Sequence, residues 1–142
     1  MPALDDDGRN NCVYVLGADG QVLTRYAQIV VDRPALFVPG TSTRAMWFRL
    51  NGVPAVVTVG RREALWNELA ELAALRGAQI HVHLEYDTDV RPEGALLRRQ
   101  LWVTMASYRT LTATVNTAAT DRLAQPSLSA AGGSMLWQDF RR

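Results

Sequence analysis

The sequence predicts a layered α/β fold in which strands and helices alternate along the chain. The strongest signal is the run from Trp66 to Ile80, where an amphipathic helical pattern is stopped by Gly77 and followed by the alternating segment IHVHLEY. Leucines at three- and four-residue spacing define one helix face: Leu65, Leu69, Leu72 and Leu75. A glycine after the last helical turn is a common stop signal. Alternating strands and helices favour a layered sheet over a helical bundle or a β-sandwich.

Two hairpins are predicted before this helix. Asp19-Gly20 separates a strand at Cys12–Leu16 from an extended run at Gln21–Val31, and Asn51-Gly52 separates strands at Ala45–Leu50 and Val53–Val59. Proline and glycine mark the intervening residues 32–43 as a loop. Residues 1–11 are polar and acidic, so a flexible N-terminal segment is expected there. Residues 12–142 are expected to form a single α/β domain.

The pattern after the hairpins alternates between helix and strand. The predicted order is a helix at Arg62–Arg76, a strand at Gln79–Tyr86, a helix at Gly94–Arg109, a strand at Thr110–Thr117, a loop over 118–133 and a short strand at Ser134–Trp137. In the second strand of this series, Leu111, Ala113 and Val115 share one side.

Composition narrows the classes of function. The formal net charge is +1, so neither a nucleic-acid partner nor a membrane partner is expected. No apolar run reaches the length of a membrane span, and a cytoplasmic location is expected. All fifteen basic residues are arginine, which excludes a lysine Schiff base or a lysine general base. Cys12 is the single cysteine, so an internal disulfide is excluded. No cofactor is expected.

Several segments resemble the carbon–nitrogen hydrolase (nitrilase/amidase) family. Trp66-Asn67-Glu68 stands where that family has Phe-Pro-Glu after its catalytic cysteine, and LRGA at residues 75–78 matches directly. Further segments follow in the family's order: CVYVLGADGQVLTRY, LFVPGTST, Thr112–Asn116 and Gly132–Met135. The resemblance covers about residues 12 to 138 and implies a nitrilase-like α-β-β-α layered sandwich. Family members are about twice as long, so the fold is expected to be incomplete, with the N-terminal half absent.

The resemblance also implies which positions correspond to the family's catalytic residues. The family uses a glutamate base, a lysine that stabilises the oxyanion and a cysteine nucleophile. The lysine position falls at Gln28, and the cysteine position falls at Arg61, or at Gly60 if the turn is one residue shorter. The base glutamate would lie in the absent half. Because arginine stays protonated and Cys12 is expected to be a core residue, the chain is predicted to be inactive as an amidase by itself.

Two further sets of residues are candidates for binding. Glu85, Asp87 and Asn116 follow predicted strands and are candidates for a cleft at the end of the sheet. His81, His83 and Glu85 alternate along one strand, so their side chains share a face that could hold a metal ion. The alternative is that both histidines are satisfied by hydrogen bonds within the sheet.

The resemblance also implies how the chain assembles. The family commonly dimerises through the two helices equivalent to Arg62–Arg76 and Gly94–Arg109, which makes Trp66 and Trp102 interface candidates. The favoured hypothesis is a degenerate homologue that acts as a binding or assembly subunit, as a homo-oligomer or with a complementary chain. The alternatives are part of an active hydrolase whose remaining catalytic residues lie elsewhere, and a metal-binding α/β domain.

Overall fold

The computed structural model describes residues 2–4, 9–85, 110–116 and 135–137, and these residues form two β-sheets and two short α-helices. The strands are β1 (Pro2–Leu4), β2 (Asn11–Leu16), β3 (Val22–Ala27), β4 (Trp47–Leu50), β5 (Val53–Val59), β6 (Ile80–Glu85), β7 (Leu111–Asn116) and β8 (Met135–Trp137). The helices are a 3₁₀ turn at Thr43–Met46, α1 (Arg61–Leu65) and α2 (Asn67–Leu75).

The first sheet is antiparallel and has the strand order β1-β2-β3. The predicted hairpin is present, with Cys12 opposite Ala27 and Gly20 in the turn at φ 80°. Strand β1 lies within the segment expected to be flexible, where it pairs Ala3 with Cys12. Three residues are too few to show an alternating pattern, so the sequence gives no signal for this strand.

The second sheet has the strand order β4-β5-β6-β7-β8, with β5, β6 and β7 parallel and antiparallel pairs at both edges. Asn51 and Gly52 both have positive φ, at 50° and 84°, as a type I′ hairpin turn requires. This turn is therefore the one predicted from the Asn-Gly dipeptide. The predicted helix over residues 94–109 lies outside the described residues.

The predicted helix at Arg62–Arg76 is broken in two. Trp66 has φ −87° and ψ 86°, which separates α1 from α2. The four leucines expected on one helix face do not share one environment, because Leu69 is buried while Leu65 is 39% exposed and Leu75 is 76% exposed. The break rotates Leu65 out of register, and the buried face of α2 is instead centred on Leu69, Ala70 and Ala73. The C-terminal stop is as predicted: Gly77 has φ +88° and donates to the Ala74 carbonyl.

The two faces of the parallel strands have an unusual distribution of side chains. One face is buried and mostly polar, and it carries Thr58, His81, His83, Thr112 and Thr114 beside Val56. The other face carries apolar side chains that are less buried along β6 and β7, where Val82 and Leu84 are half-buried and Val115 is 47% exposed. A main cluster of buried apolar residues joins the first sheet, the second sheet and α2: Val13, Tyr26, Met46, Val56, Val57, Val59, Leu69, Ala73 and Ala78.

No helix among the described residues is long and apolar enough to cross a membrane.

Candidate functional site

The carboxyl ends of the three parallel strands form one edge of the second sheet. Strand β5 runs into Gly60, whose backbone N–H donates to the Leu84 carbonyl of β6 at 2.9 Å. Glu85 at the end of β6 is in register with Asn116 at the end of β7, so the structure brings these two cleft candidates together. Ligands of open α/β sheets bind at this edge. The third cleft candidate, Asp87, lies outside the described residues.

Gln28, which the resemblance implies for the lysine position, reaches the same edge from the first sheet. It follows β3 directly and is 1% exposed. Its side-chain amide nitrogen donates to the Val30 carbonyl at 3.0 Å and to the Asp32 carboxylate at 2.9 Å. Its amide oxygen accepts a hydrogen bond from the Asn11 side chain at 2.9 Å. These three hydrogen bonds hold the amide in one orientation, and their partners all belong to the protein itself.

Gly60 lies against the Gln28 amide, which brings together the two positions implied by the resemblance. A Cβ atom at position 60 would overlap the Gln28 amide nitrogen and an Asp32 carboxylate oxygen. The backbone there also has φ +86°, a region that side-chain-bearing residues rarely adopt. Position 60 therefore accepts glycine and no nucleophilic side chain. Arg61 is half-buried and begins α1.

Asp32 joins the loop after β3 to the start of α1. One carboxylate oxygen accepts the Gln28 amide hydrogen bond, and the other accepts from the Arg62 backbone N–H at 2.9 Å. The negative charge lies at a helix N-terminus, where it is favourable. Sequence reasoning missed this residue because an aspartate within a loop of turn-forming residues gives no specific signal.

Glu63 connects the segments that form the site through hydrogen bonds to its carboxylate. The residue is buried, and its Oε1 accepts hydrogen bonds from the Tyr26 hydroxyl at 2.7 Å and from the Ile29 and Val30 backbone N–H groups at 2.6 and 3.3 Å. Its Oε2 accepts from the Val59 backbone N–H at 3.0 Å. The carboxylate thus ties the segment that follows Gln28 to the end of β5.

The environment of Glu63 changes two pKa values. Burial raises the pKa of the Glu63 carboxyl, and its four hydrogen-bond donors oppose that shift. Burial and the neighbouring Glu63 raise the pKa of Tyr26, which keeps the phenol protonated as a donor. Glu63 lies in the first turn of α1, and a local sequence pattern does not show its long-range partners.

The two histidines are held by a hydroxyl. The Thr58 Oγ1 atom lies 2.7 Å from His81 Nε2 and 2.8 Å from His83 Nδ1, and both rings are buried. Burial lowers the pKa of His81 to about 3, with a contribution from His83, and lowers that of His83 to about 4. Both imidazoles are therefore neutral at pH 7.

This arrangement does not match the predicted metal site. Within the part of the chain that the structure describes, no group of three or more His, Cys, Asp or Glu side chains could hold a metal ion. One nitrogen of each histidine is directed to Thr58. The alternative, in which hydrogen bonds satisfy both histidines, holds for one nitrogen of each ring, whereas His81 Nδ1 and His83 Nε2 are buried without a hydrogen-bond partner among the described residues.

The remaining candidates are Cys12 and the two tryptophans. Cys12 is fully buried in β2, and by strand alternation its side chain lies on the opposite face of the sheet from that of Asn11, which contacts Gln28. Trp66 is half-buried at the break between α1 and α2 and lines a shallow depression of about 310 Å³ with Val30, Arg62 and Leu65. Trp102 lies outside the described residues.

Comparison with solved structures identifies the fold. Nit3 from Saccharomyces cerevisiae, a member of branch 10 of the nitrilase superfamily, is 19% identical and matches 97% of this chain with a TM-score of 0.79, over 49% of its own length. A carbon–nitrogen hydrolase from Helicobacter pylori G27 is 14% identical over 97% of this chain and 52% of its own, with a TM-score of 0.71. The chain therefore has the fold of the nitrilase superfamily, as the sequence resemblance implied.

This chain is also similar to the structure of an amidase with a bound amide. A cysteine-to-alanine mutant of the amidase from Nesterenkonia sp. AN1, solved in complex with butyramide, is 20% identical and matches 91% of this chain and 48% of its own, with a TM-score of 0.75. Variants of that amidase carry the acetamide moiety of fluoroacetamide on the active-site cysteine. This chain spans about half the length of these solved chains. No family model matches the sequence, and no curated protein matches it.

Proposed function

We propose that this chain is a nitrilase-fold protein that does not hydrolyse amides by itself and acts as a binding or assembly subunit. One observation carries the proposal: the Gln28 amide and the Asp32 carboxylate occupy the space beside Gly60, at the turn where the resemblance implies a nucleophile. Assembly with a second copy or with a complementary chain, in the cytoplasm, is part of the same proposal.

The chemistry of the site supports the absence of hydrolysis. Covalent amide hydrolysis needs a nucleophile, a base that activates it and a donor or cation that stabilises the oxyanion. Gln28 is neutral, and its amide hydrogens already bind Val30 and Asp32. A neutral donor with protein partners is a weaker oxyanion ligand than a free cation. Arg61 cannot attack a carbonyl carbon, because it remains protonated.

The direct test is ammonia release from butyramide, with the Nesterenkonia amidase as the positive control. We expect the purified chain to release no ammonia above buffer. The matched control is Cys12→Ala, which removes the single thiol of the chain. Hydrolysis by the natural chain that disappears in Cys12→Ala would refute the proposal, because it would show that the buried thiol reaches a substrate.

A further outcome separates an assembly subunit from part of an active hydrolase. If a partner protein restores hydrolysis, substituting Gln28 or Asp32 tells the two apart. Loss of the restored activity in Gln28→Ala would place this chain's residues in the catalytic site and would contradict the proposal. Unchanged activity would support a role in which the chain binds without taking part in the chemistry.

A further inference from the structure

Buried polar atoms on one face of the second sheet lack a hydrogen-bond partner within the described residues, namely Trp47 Nε1, His81 Nδ1 and His83 Nε2. His81 is 3% exposed, and His83 is fully buried. Strand register places Trp47 of β4 beside Val56 of β5, and Val56 beside His81 of β6, so these side chains share the face. Buried polar groups are rarely left without a partner, because the hydrogen bonds that they make to water when unfolded are then lost. The face therefore has the polar atoms of a binding site for a small polar molecule.

The Thr58 hydroxyl makes the proton positions on the two histidines depend on each other. Its Oγ1 atom lies 2.7 Å from His81 Nε2 and 2.8 Å from His83 Nδ1, and it has no further hydrogen-bond partner in the described part of the chain. A hydroxyl carries one hydrogen, so it donates to one ring and accepts from the other. If Thr58 donates to His83, both rings are Nε2–H tautomers. If it donates to His81, both rings are Nδ1–H tautomers.

Either arrangement leaves one donor and one acceptor at the far nitrogens. With both protons on Nε2, His81 Nδ1 is an acceptor and His83 Nε2–H is a donor, and the Nδ1–H tautomers reverse these roles. Both rings are neutral at pH 7, because burial lowers their pKa. A metal ion bound by both far nitrogens would need two acceptors, which neither arrangement provides. A water molecule fits either atom, since it both donates and accepts.

Trp47 distinguishes between the two arrangements. The indole Nε1–H is a donor only, so a molecule that joins it to His81 must accept from the indole. A water that accepts from the indole can donate to His81 Nδ1, provided that this nitrogen is unprotonated. Across the sheet, only the short side chain of Val56 separates the strand positions of the two rings. A bridging water therefore favours the Nε2–H tautomers.

We propose that this face binds internal water, with one molecule that accepts from Trp47 Nε1 and donates to His81 Nδ1. This water holds His81 as the Nε2–H tautomer, and the Thr58 hydroxyl transmits the same tautomer to His83. The hydrogen bonds then run in one direction from the indole to His83, whose Nε2–H donates to a second water. The inference goes beyond the proposed function and does not depend on the lack of amide hydrolysis.

The experiment is NMR spectroscopy of the full chain at pH 7 with isotope-labelled histidine, of which the chain contains only two residues. Long-range correlations between the ring protons and nitrogens distinguish the Nε2–H tautomer from the Nδ1–H tautomer. We expect both histidines of the natural chain to be Nε2–H tautomers. We also expect a cross-peak between a long-lived water and the indole N–H of Trp47. Both measurements use the natural chain, so they apply even where a variant does not fold.

A pair of variants tests the bridge and its coupling. Trp47→Phe removes the indole donor and keeps an aromatic ring, and it should lower the ratio of Nε2–H to Nδ1–H tautomer about fivefold in both histidines, as expected for one lost hydrogen bond. In a Thr58→Val background, the same substitution should change the ratio of His81 alone. Trp66→Phe is the matched control, because Trp66 lies at the break between α1 and α2 and should leave both ratios unchanged. Circular dichroism verifies that each variant folds.

Several results would overturn the inference. In the natural chain, these are histidines of opposite tautomers, two Nδ1–H tautomers, or an indole N–H of Trp47 without a water cross-peak. Among folded variants, they are tautomer ratios that Trp47→Phe leaves unchanged or that Trp66→Phe changes equally. Butyramide hydrolysis by the natural chain would refute the proposed function and leave the water site standing, so the two failures are distinguishable.

Discussion

Replacing Glu63 with glutamine tests whether one buried carboxylate holds the candidate site together. Glutamine has nearly the same shape, but one carboxylate oxygen becomes an NH₂ group. If the remaining oxygen keeps the Tyr26, Ile29 and Val30 donors, the NH₂ group faces the Val59 backbone N–H. Two donors then oppose each other in a buried place, and neither has an acceptor.

The expected loss follows from the hydrogen bonds. Leaving a buried donor without an acceptor costs about 1–3 kcal/mol, and bonds to a charged acceptor are stronger than those to a neutral one. Burial raises the pKa of Glu63, which means that burying its charge is itself unfavourable and that removing the charge recovers part of the loss. We therefore expect Glu63→Gln to lower the free energy of unfolding by about 2 kcal/mol.

The assay is urea unfolding at pH 7, followed by tryptophan fluorescence. Tyr26→Phe is the control, because it removes one hydrogen bond to the same carboxylate and keeps the ring, for an expected loss of about 1 kcal/mol. The double variant should lose less than the sum of the two single losses, since both act on one network. A change below about 0.5 kcal/mol in Glu63→Gln would refute the argument that the carboxylate holds the site.

Two further predictions concern acid stability and the Gly60 turn. Burial lowers the pKa of His81 to about 3 and that of His83 to about 4, from 6.5. The contribution of the two neutral rings to the free energy of unfolding is therefore fully present above pH 6.5. It is lost as the pH falls towards the lowered pKa values, by about 1 kcal/mol per pH unit for each histidine. The free energy of unfolding should be lower at pH 5 than at pH 7, and this difference should be smaller in His83→Asn. Equal free energies at pH 7 and pH 5 would contradict the prediction. Gly60→Ala should destabilise the protein more than Gly20→Ala, by about 1–3 kcal/mol in urea unfolding, because both have positive φ but position 20 is open. Equal losses would show that the close approach of Gln28 to the turn costs nothing.

Local signals in the sequence predicted the elements that local chemistry determines. Asn51-Gly52 specifies a turn because few residues adopt positive φ at both positions, and Gly77 ends α2 for the same reason. The break at Trp66 was not predictable, since the residue itself favours neither helix nor break and tertiary packing decides. A continuous helix would place the four leucines on one face, and the break separates Leu65 from the other three.

The site itself was predicted only through the resemblance to the nitrilase family. No periodicity or spacing connects Gln28 with Gly60, which come from different sheets and meet through tertiary packing. Glu63 and Asp32 were missed for the same reason, because each has a partner that lies about thirty residues or more away in sequence. The H-x-H-x-E pattern did predict a shared face, but the pattern cannot show that Thr58 binds both imidazoles.

The measurement that tests the central claim most directly is the intact mass of the protein after incubation with fluoroacetamide. In variants of the Nesterenkonia amidase, the active-site cysteine carries the acetamide moiety of this compound. If the turn beside Gln28 has no nucleophile and Cys12 is buried, the natural chain and Cys12→Ala should both keep their unmodified masses. A single acetamide adduct on the natural chain, absent in Cys12→Ala, would contradict the account, because it would show a reactive thiol where the structure has a buried one.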